Sequence, residues 1–176
     1  MANAQTMKVW RIDTEGILYT RPVAITRVVL YPSAAGDAAT LASWDESATK
    51  KATMANKTVT TTLTTTITST GNFETAEVAV NDIIRITQTS TGKNIGYYQV
   101  GTRSSDDEII VDSANALTNE ASKVYSWWTL TPQTVIPLLA QATEKAVEYA
   151  YDGLLRLPNL AISGISASAV VYIYLA

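Results

Sequence analysis

Residues 72–111 read NFETAEVAVNDIIRITQTSTGKNIGYYQVGTRSSDDEIIV, and this stretch decides the fold. It predicts three short strands, at Ile83–Thr87, Tyr97–Val100 and Glu108–Val111. A Ser-Thr-Gly-Lys-Asn turn separates the first two strands, and a charged turn at residues 104–107 separates the last two. Strands this short, joined by turns this tight, favour a small and strongly curved sheet or barrel.

Strand patterns continue on both sides of this stretch. Before it, residues 17–31 are largely apolar or β-branched on both faces, and residues 39–44 resemble a short partner strand. Residues 140–151 fit either a helix or a strand, and we favour a strand for their second half because Gly153 ends it. The other strands predicted after the central stretch are residues 124–130, 134–139, 154–157, 160–163 and 169–175.

These patterns predict an all-β protein with two modules. Residues 1–56 and 132–176 are expected to form a β-sandwich with an N-terminal arm, and residues 57–131 an inserted small β-barrel module. Residues 45–57 carry charge and alanine, which indicates a connector. Insertion at an exposed loop costs little free energy, so this layout is physically reasonable.

A threonine-rich run occupies residues 58–70, where every even position is threonine. Threonine suits a pleated sheet because its side chain is branched, and its hydroxyl tolerates water. The run fits either a long solvated strand or a strand that pairs with a neighbouring subunit, since a flat strand of this kind specifies its register poorly. The second interpretation makes Thr62 and Thr66 candidate interaction residues.

Composition narrows the possible functions. The chain has 176 residues, a net charge of -3 and no clustered basic face, which argues against binding nucleic acid. Cysteine and histidine are both absent, so thiolate chemistry, imidazole ligands and histidine-based triads are excluded. The first residues have no apolar segment typical of a secretory signal, and the apolar runs are too short to cross a bilayer. We therefore expect no nucleic-acid partner and no membrane partner.

The acidic residues offer no clear reaction centre. Asp106, Asp107 and Glu108 contain the oxygen ligands that calcium prefers, but their spacing is not that of an EF-hand, and a solvated turn explains them better. A glycosidase needs two facing carboxylates, and pairs such as Asp82 with Glu108 are expected by chance in a chain with sixteen acidic residues. We predict no catalytic residue, no cofactor and no metal site.

Aromatic residues are the better candidates for interaction. Trp127 and Trp128 project to opposite faces of a predicted strand, so one is expected in the core and the other toward solvent or a partner. Trp10 lies in the N-terminal arm, residues 7–12, where it either docks on a neighbouring subunit or packs on its own domain. Tyr97 and Tyr98 are further candidates on the second strand of the central stretch.

The central stretch resembles a small β-barrel module found in structural proteins of tailed bacteriophages. The flanking strand at residues 24–31 and the C-terminal Ala-Val-Val-Tyr-Ile-Tyr-Leu segment are similar to small sandwich proteins of phage virions. The residues that carry the barrel resemblance are Phe73, Val78, Val80, residues 82–86, Gly92, Asn94, residues 96–98, Val100 and residues 109–111.

The resemblance implies a non-enzymatic virion structural protein, assembled in the cytoplasm of a bacterial host. Within that class we predict a capsid decoration (cement) protein that forms a homo-oligomer, a trimer or higher, and binds the major capsid protein or other virion proteins. One alternative is a neck, tail or baseplate structural protein. Another is a carbohydrate-binding β module in which Tyr97, Tyr98 or Trp128 stacks on sugar.

Overall fold

The computed structural model describes residues 4–5, 8–112, 116–141 and 145–176. Within these ranges almost every regular element is a β-strand, so the prediction of an all-β fold is confirmed. The chain divides into two compact units, one formed by Met1–Ser43 with Thr134–Ala176 and the other by Trp44–Gln133. Within the described parts of the chain, no helix combines the length and the apolar character that crossing a bilayer requires.

The elements follow one another in this order. The first unit begins with β1 (Ala4–Gln5), β2 (Val9–Ile12), β3 (Gly16–Tyr19), β4 (Val23–Tyr31) and β5 (Ala38–Ser43). The second unit contains β6 (Lys50–Thr62), β7 (Thr66–Thr68), α1 (Asn72–Thr75), β8 (Ile83–Thr89), β9 (Gly96–Arg103), β10 (Glu108–Val111) and β11 (Glu120–Leu130). The chain ends with β12 (Gln133–Leu139), β13 (Val147–Leu157), β14 (Leu160–Ser163) and β15 (Val170–Leu175).

The first unit is a β-sandwich. Its larger sheet has the strand order β1-β2-β15-β4-β13, and its smaller sheet has the order β12-β5-β14-β3. Residues from both sheets share one apolar core, which includes Ile25 and Ile173 from the larger sheet and Leu41 and Ile162 from the smaller one. Because side chains alternate along a strand, the outward positions of the larger sheet face away from this core.

The second unit is a closed barrel with the strand order β10-β7-β6-β11-β8-β9. Its core is separate from that of the sandwich and includes Ile86, Val100 and Trp127, together with Phe73 from α1. The second unit begins at Trp44 and its first barrel strand at Lys50, both earlier than the predicted residue 57. The predicted connector at 45–57 is wrong in its second half, because Lys50 onward forms part of the long strand β6.

The threonine-rich run is a hairpin, and the single strand predicted for residues 58–70 is wrong. Strand β6 ends at Thr62, and the chain returns as β7 after Leu63 and Thr64 adopt left-handed backbone conformations, with φ of 52° and 60°. Inside the barrel β6 pairs with both β7 and β11, while β7 also pairs with β10. The backbone of this run is therefore satisfied within its own chain, and it leaves no free edge for a neighbouring subunit.

The predicted N-terminal arm is a strand of the sandwich over its described part. Strand β2 pairs with β15, and Trp10 lies opposite Ile173. Met7 lies outside the described residues. Strand β13 confirms the strand predicted for the second half of 140–151 and continues through the separately predicted 154–157, whereas residues 142–144 lie outside the described residues.

Candidate functional site

The predicted interaction residues occupy two kinds of position. Trp10, Thr66, Tyr98 and Trp127 are buried, with exposed fractions of 5%, 7%, 7% and 2%. Trp10 therefore packs on its own domain, which is one of the two arrangements predicted for it, and Trp127 is the inward member of the tryptophan pair. The interaction role of these four residues stays a prediction. Thr62 is exposed, and Tyr97 and Trp128 are partly exposed. The expected division of the tryptophan pair is confirmed, with Trp127 inward and Trp128 outward.

Two of these surface residues lie in one row across the outer wall of the barrel. Trp128 on β11 is opposite Arg85 on β8, and Arg85 is opposite Tyr97 on β9. Ile84 and Ile86 beside Arg85, Trp127 and Thr129 beside Trp128, and Tyr98 beside Tyr97 are buried, so all three side chains of the row project outward. We call this feature the Trp128–Arg85–Tyr97 row.

Cations lie against both aromatic rings of the row. Lys50 Nζ is 4.4 Å from the centroid of the Trp128 ring, and Arg85 Cζ is 4.5 Å from the centroid of the Tyr97 ring. Both distances fall inside the range of about 6 Å for cation–π attraction, which contributes about 0.5–1 kcal/mol at an exposed site. The row is therefore held in a defined arrangement before any partner binds.

Glu46 and Trp44 support the Tyr97 end of the row. The Tyr97 hydroxyl donates a hydrogen bond to Glu46 Oε1, and the buried Trp44 ring lies 5.6 Å from the Tyr97 ring. Burial and the hydrogen bond to Glu46 raise the pKa of Tyr97, so the phenol stays protonated and remains a donor. These contacts fix the rotamer of Tyr97.

Arg85 keeps donor capacity for a partner. Its Nη1 donates to the Ile86 carbonyl oxygen at 3.0 Å, and its Nε forms an ion pair with Glu46 Oε1 at 3.6 Å, which is longer than a hydrogen bond. A planar guanidinium presents several N–H groups in a fixed fork, which suits carboxylate and carbonyl acceptors. The sequence signal for this residue is its position as the single charge in the apolar segment Ile-Ile-Arg-Ile, and Arg85 was not among the predicted interaction residues.

A buried polar network lies elsewhere in the barrel and was also missed. The Tyr125 hydroxyl donates to Glu120 Oε2 at 2.6 Å, Thr91 Oγ1 donates to Glu120 Oε1 at 2.6 Å, and Asn94 Nδ2 donates to the Tyr125 oxygen at 2.7 Å. Burial raises the pKa of Tyr125 to about 12, which keeps its hydroxyl protonated. The network ties the β8–β9 turn to the start of β11, so its role is structural.

The network predicts an acid-sensitive barrel. Burial acts to raise the pKa of Glu120. Hydrogen bonds from Thr91 and Tyr125, together with the charges of nearby lysines, outweigh this effect, so the pKa is lowered overall from its ordinary value of 4.5. The carboxylate therefore stabilises the fold above the unfolded pKa, and this stability is lost as the pH falls through the folded pKa.

Urea unfolding measured between about pH 6 and pH 3 tests this expectation. The midpoint is expected to fall less steeply with decreasing pH in Glu120→Gln than in the wild type. Glu74→Gln, which changes an exposed carboxylate in α1, is the control and should retain the wild-type slope. Equal slopes for the wild type and Glu120→Gln contradict the assignment.

Two of the predicted acidic candidates, Asp82 and Asp106, have structural partners. Asp106 pairs with Arg103, and the Asp82 carboxylate pairs with Lys51 Nζ at 2.9 Å. Asp82 also accepts a hydrogen bond from the Ala79 backbone N–H at 2.8 Å, which anchors the loop before β8. Among the residues that the structure describes, no group of three or more carboxylates is arranged to hold a metal ion.

Comparison with known proteins adds no further constraint on the function. No protein-family model, curated protein or solved structure matches this chain. The resemblance to phage virion modules therefore stands on the residue pattern alone, and the candidate site stands on its geometry.

Proposed function

We propose that this chain is a non-enzymatic virion structural protein, and specifically a capsid decoration protein that stabilises the head through contacts with the major capsid protein and with its own copies. The observation that carries the proposal is the Trp128–Arg85–Tyr97 row. Tryptophan, arginine and tyrosine are the residues that contribute most to protein–protein binding energy. Here they lie on adjacent strands of a rigid closed barrel.

The chemistry of the row favours a protein partner over a sugar. A sugar stacks on the open face of an aromatic ring, but Lys50 lies over Trp128 and Arg85 lies over Tyr97. Tyr98, the third residue considered for sugar stacking, is buried. Partly buried aromatic side chains with an adjoining guanidinium fit a partner that supplies apolar side chains and a carboxylate or carbonyl.

The edges of the sandwich supply a second contact surface. Among the described strands, β1 has two residues, β3 has four, and β12 contains Pro137, all features that limit pairing with another chain. Within the described residues, strand β13 is an edge strand of eleven residues whose pairing with β4 shifts register between Ala150 and Leu155, and it exposes Tyr149 and Leu154. An edge of this length supports pairing with a strand of a neighbouring subunit.

Copy number would turn modest contacts into a stable assembly. A protein that engages a lattice through two surfaces gains avidity, because the second contact forms at a high effective concentration. A trimer or higher oligomer on a capsid lattice fits this mechanism. A neck, tail or baseplate component would use the same surfaces, so the virion structure to which the protein binds distinguishes the two assignments.

The test is binding of purified variants to isolated phage heads and to isolated tails. Arg85→Ala and Trp128→Ala are each expected to weaken binding to heads by at least about tenfold, the effect of losing a central contact. Val124→Ala is the matched control, since it changes an exposed residue on the same strand as Trp128. Unchanged binding by both variants contradicts the role of the row, and retention on tails alone moves the assignment to a tail component.

A further inference from the structure

A second aromatic surface lies on the sandwich unit, on the outward side of its larger sheet. A cavity of about 380 Å³ is lined there by Arg11, Tyr31, Val170, Tyr172 and Tyr174. These residues come from three adjacent strands, because β15 lies between β2 and β4 in the sheet. We call this feature the tyrosine face.

Two of the rings form a right-angled corner. The Tyr31 and Tyr172 ring centroids are 5.4 Å apart, and the ring planes meet at 81°. Tyr31 is 49% exposed, so an open ring surface faces solvent next to the cavity. Such an edge-to-face pair is a favourable arrangement of aromatic rings, and it keeps the corner rigid. The third ring, Tyr174, has Arg27 Cζ 3.9 Å above its centroid.

The charges of this face are balanced. Arg11 pairs with Asp13, and Arg27 pairs with Glu148 at 3.4 Å, so each guanidinium has a carboxylate partner. An anionic ligand would have to displace those carboxylates. A neutral ligand rich in hydroxyl groups meets no such cost, because phenol, guanidinium and carboxylate groups together offer both hydrogen-bond donors and acceptors.

We propose that the tyrosine face is a binding site for a neutral glycan. One sugar ring stacks its C–H surface on Tyr31, and its hydroxyl groups exchange hydrogen bonds with the Tyr172 hydroxyl and with the Arg11–Asp13 pair. The cavity volume falls in the range of about 300–1,000 Å³ that is typical of sites for small ligands. This site is in the sandwich unit, and its existence does not depend on the proposed role of the barrel in the virion.

The size of the face also favours a glycan over a protein partner. A stable protein contact buries about 800 Å² on each side and is built around anchors that become fully desolvated. The tyrosine face is lined by only five residues, Arg11, Tyr31, Val170, Tyr172 and Tyr174, and its Tyr174 ring is covered by Arg27. The open part is the Tyr31 corner, which matches one or two sugar rings.

The experiment is a titration of the full chain with hexasaccharides, followed by heteronuclear NMR and by calorimetry. The neutral probes are cellohexaose, maltohexaose and chitohexaose, and the anionic probe is a galacturonic acid hexamer. We expect at least one neutral probe to bind, and Tyr31→Ala to weaken that binding at least about tenfold, as for loss of a central aromatic contact. Tyr149→Ala is the control. Tyr149 lies on the same sheet and is 41% exposed, and this variant should bind the probe as the wild type does.

The following results overturn the proposal. They are failure of every neutral probe to bind the wild type, binding of the anionic probe alone, and equal weakening by Tyr31→Ala and Tyr149→Ala. Thermal unfolding of each variant establishes that it is folded. Tyr31→Phe is a second variant that retains the ring, and it should keep most of the affinity that Tyr31→Ala loses. If Tyr31→Ala instead reduces binding to phage heads while no glycan binds, the face is a protein contact and the proposal is wrong.

Discussion

Replacing Trp127 with alanine is expected to lower the free energy of unfolding of the barrel by about 3–5 kcal/mol, the usual cost of removing a large aromatic side chain from a core. Trp127 is 2% exposed, and its ring lies 5.8 Å from that of Phe73. Its indole Nε1 makes no hydrogen bond within the described parts of the chain, so the loss is one of packing alone. A native domain is stable by only about 5–15 kcal/mol, so this single change removes much of the margin.

Urea denaturation, followed by circular dichroism and by hydrogen exchange of the barrel amides, measures this effect. Trp128→Ala is the matched control because Trp128 is the same residue type at the next position but lies outside the core. We expect it to cost less than about 1.5 kcal/mol, as for a partly exposed side chain. Similar costs for the two variants would show that the inward and outward assignments are wrong.

Replacing Leu30 with alanine is expected to lower the free energy of unfolding of the sandwich by about 2–5 kcal/mol. Leu30 is fully buried in the sandwich core, on a strand that has a neighbour on each side. It lies opposite Val171 on one neighbouring strand and Val147 on the other. Truncation in the centre of a sheet leaves a cavity that these paired strands cannot close without breaking their register.

The same denaturation experiment, with hydrogen exchange of the sandwich amides, checks the Leu30 prediction. Leu154→Ala is the control, because it removes the same type of side chain from the same sheet, where Leu154 is 43% exposed. This variant should change the free energy of unfolding by less than about 0.5 kcal/mol. A loss below about 1 kcal/mol for Leu30→Ala would contradict its placement in the core.

Short strands bounded by turns were predictable from sequence. Glu108–Val111 and Leu160–Ser163 are observed with the predicted limits, because charged, proline or glycine turns mark both ends. The hairpin in the threonine-rich run was not predictable. Its turn uses Leu63 and Thr64 with positive φ, and neither residue type favours that conformation. Closing the barrel imposes this turn, and that is a tertiary constraint.

For the candidate site, the sequence predicted only the features that depend on a single strand. The alternation of side chains along β11 correctly predicted that Trp127 and Trp128 lie on opposite faces of the strand. The choice between docking on a neighbour and packing on its own domain stayed open for Trp10, because its partner across the sheet, Ile173, lies at the far end of the chain. The position of Arg85 between Trp128 and Tyr97 depends on the registers of three strands, which a single sequence pattern does not specify.

We propose that the barrel presents a protein-binding row with which the chain decorates a phage head. Electron cryomicroscopy of purified heads, saturated with the wild-type protein or with the folded double variant Arg85→Ala/Trp128→Ala, tests it most directly. We predict regular added density on the head lattice for the wild type, with the barrel toward the capsid, and loss of that density for the double variant. Heads without added density in both samples, or equal density in both, would contradict the account.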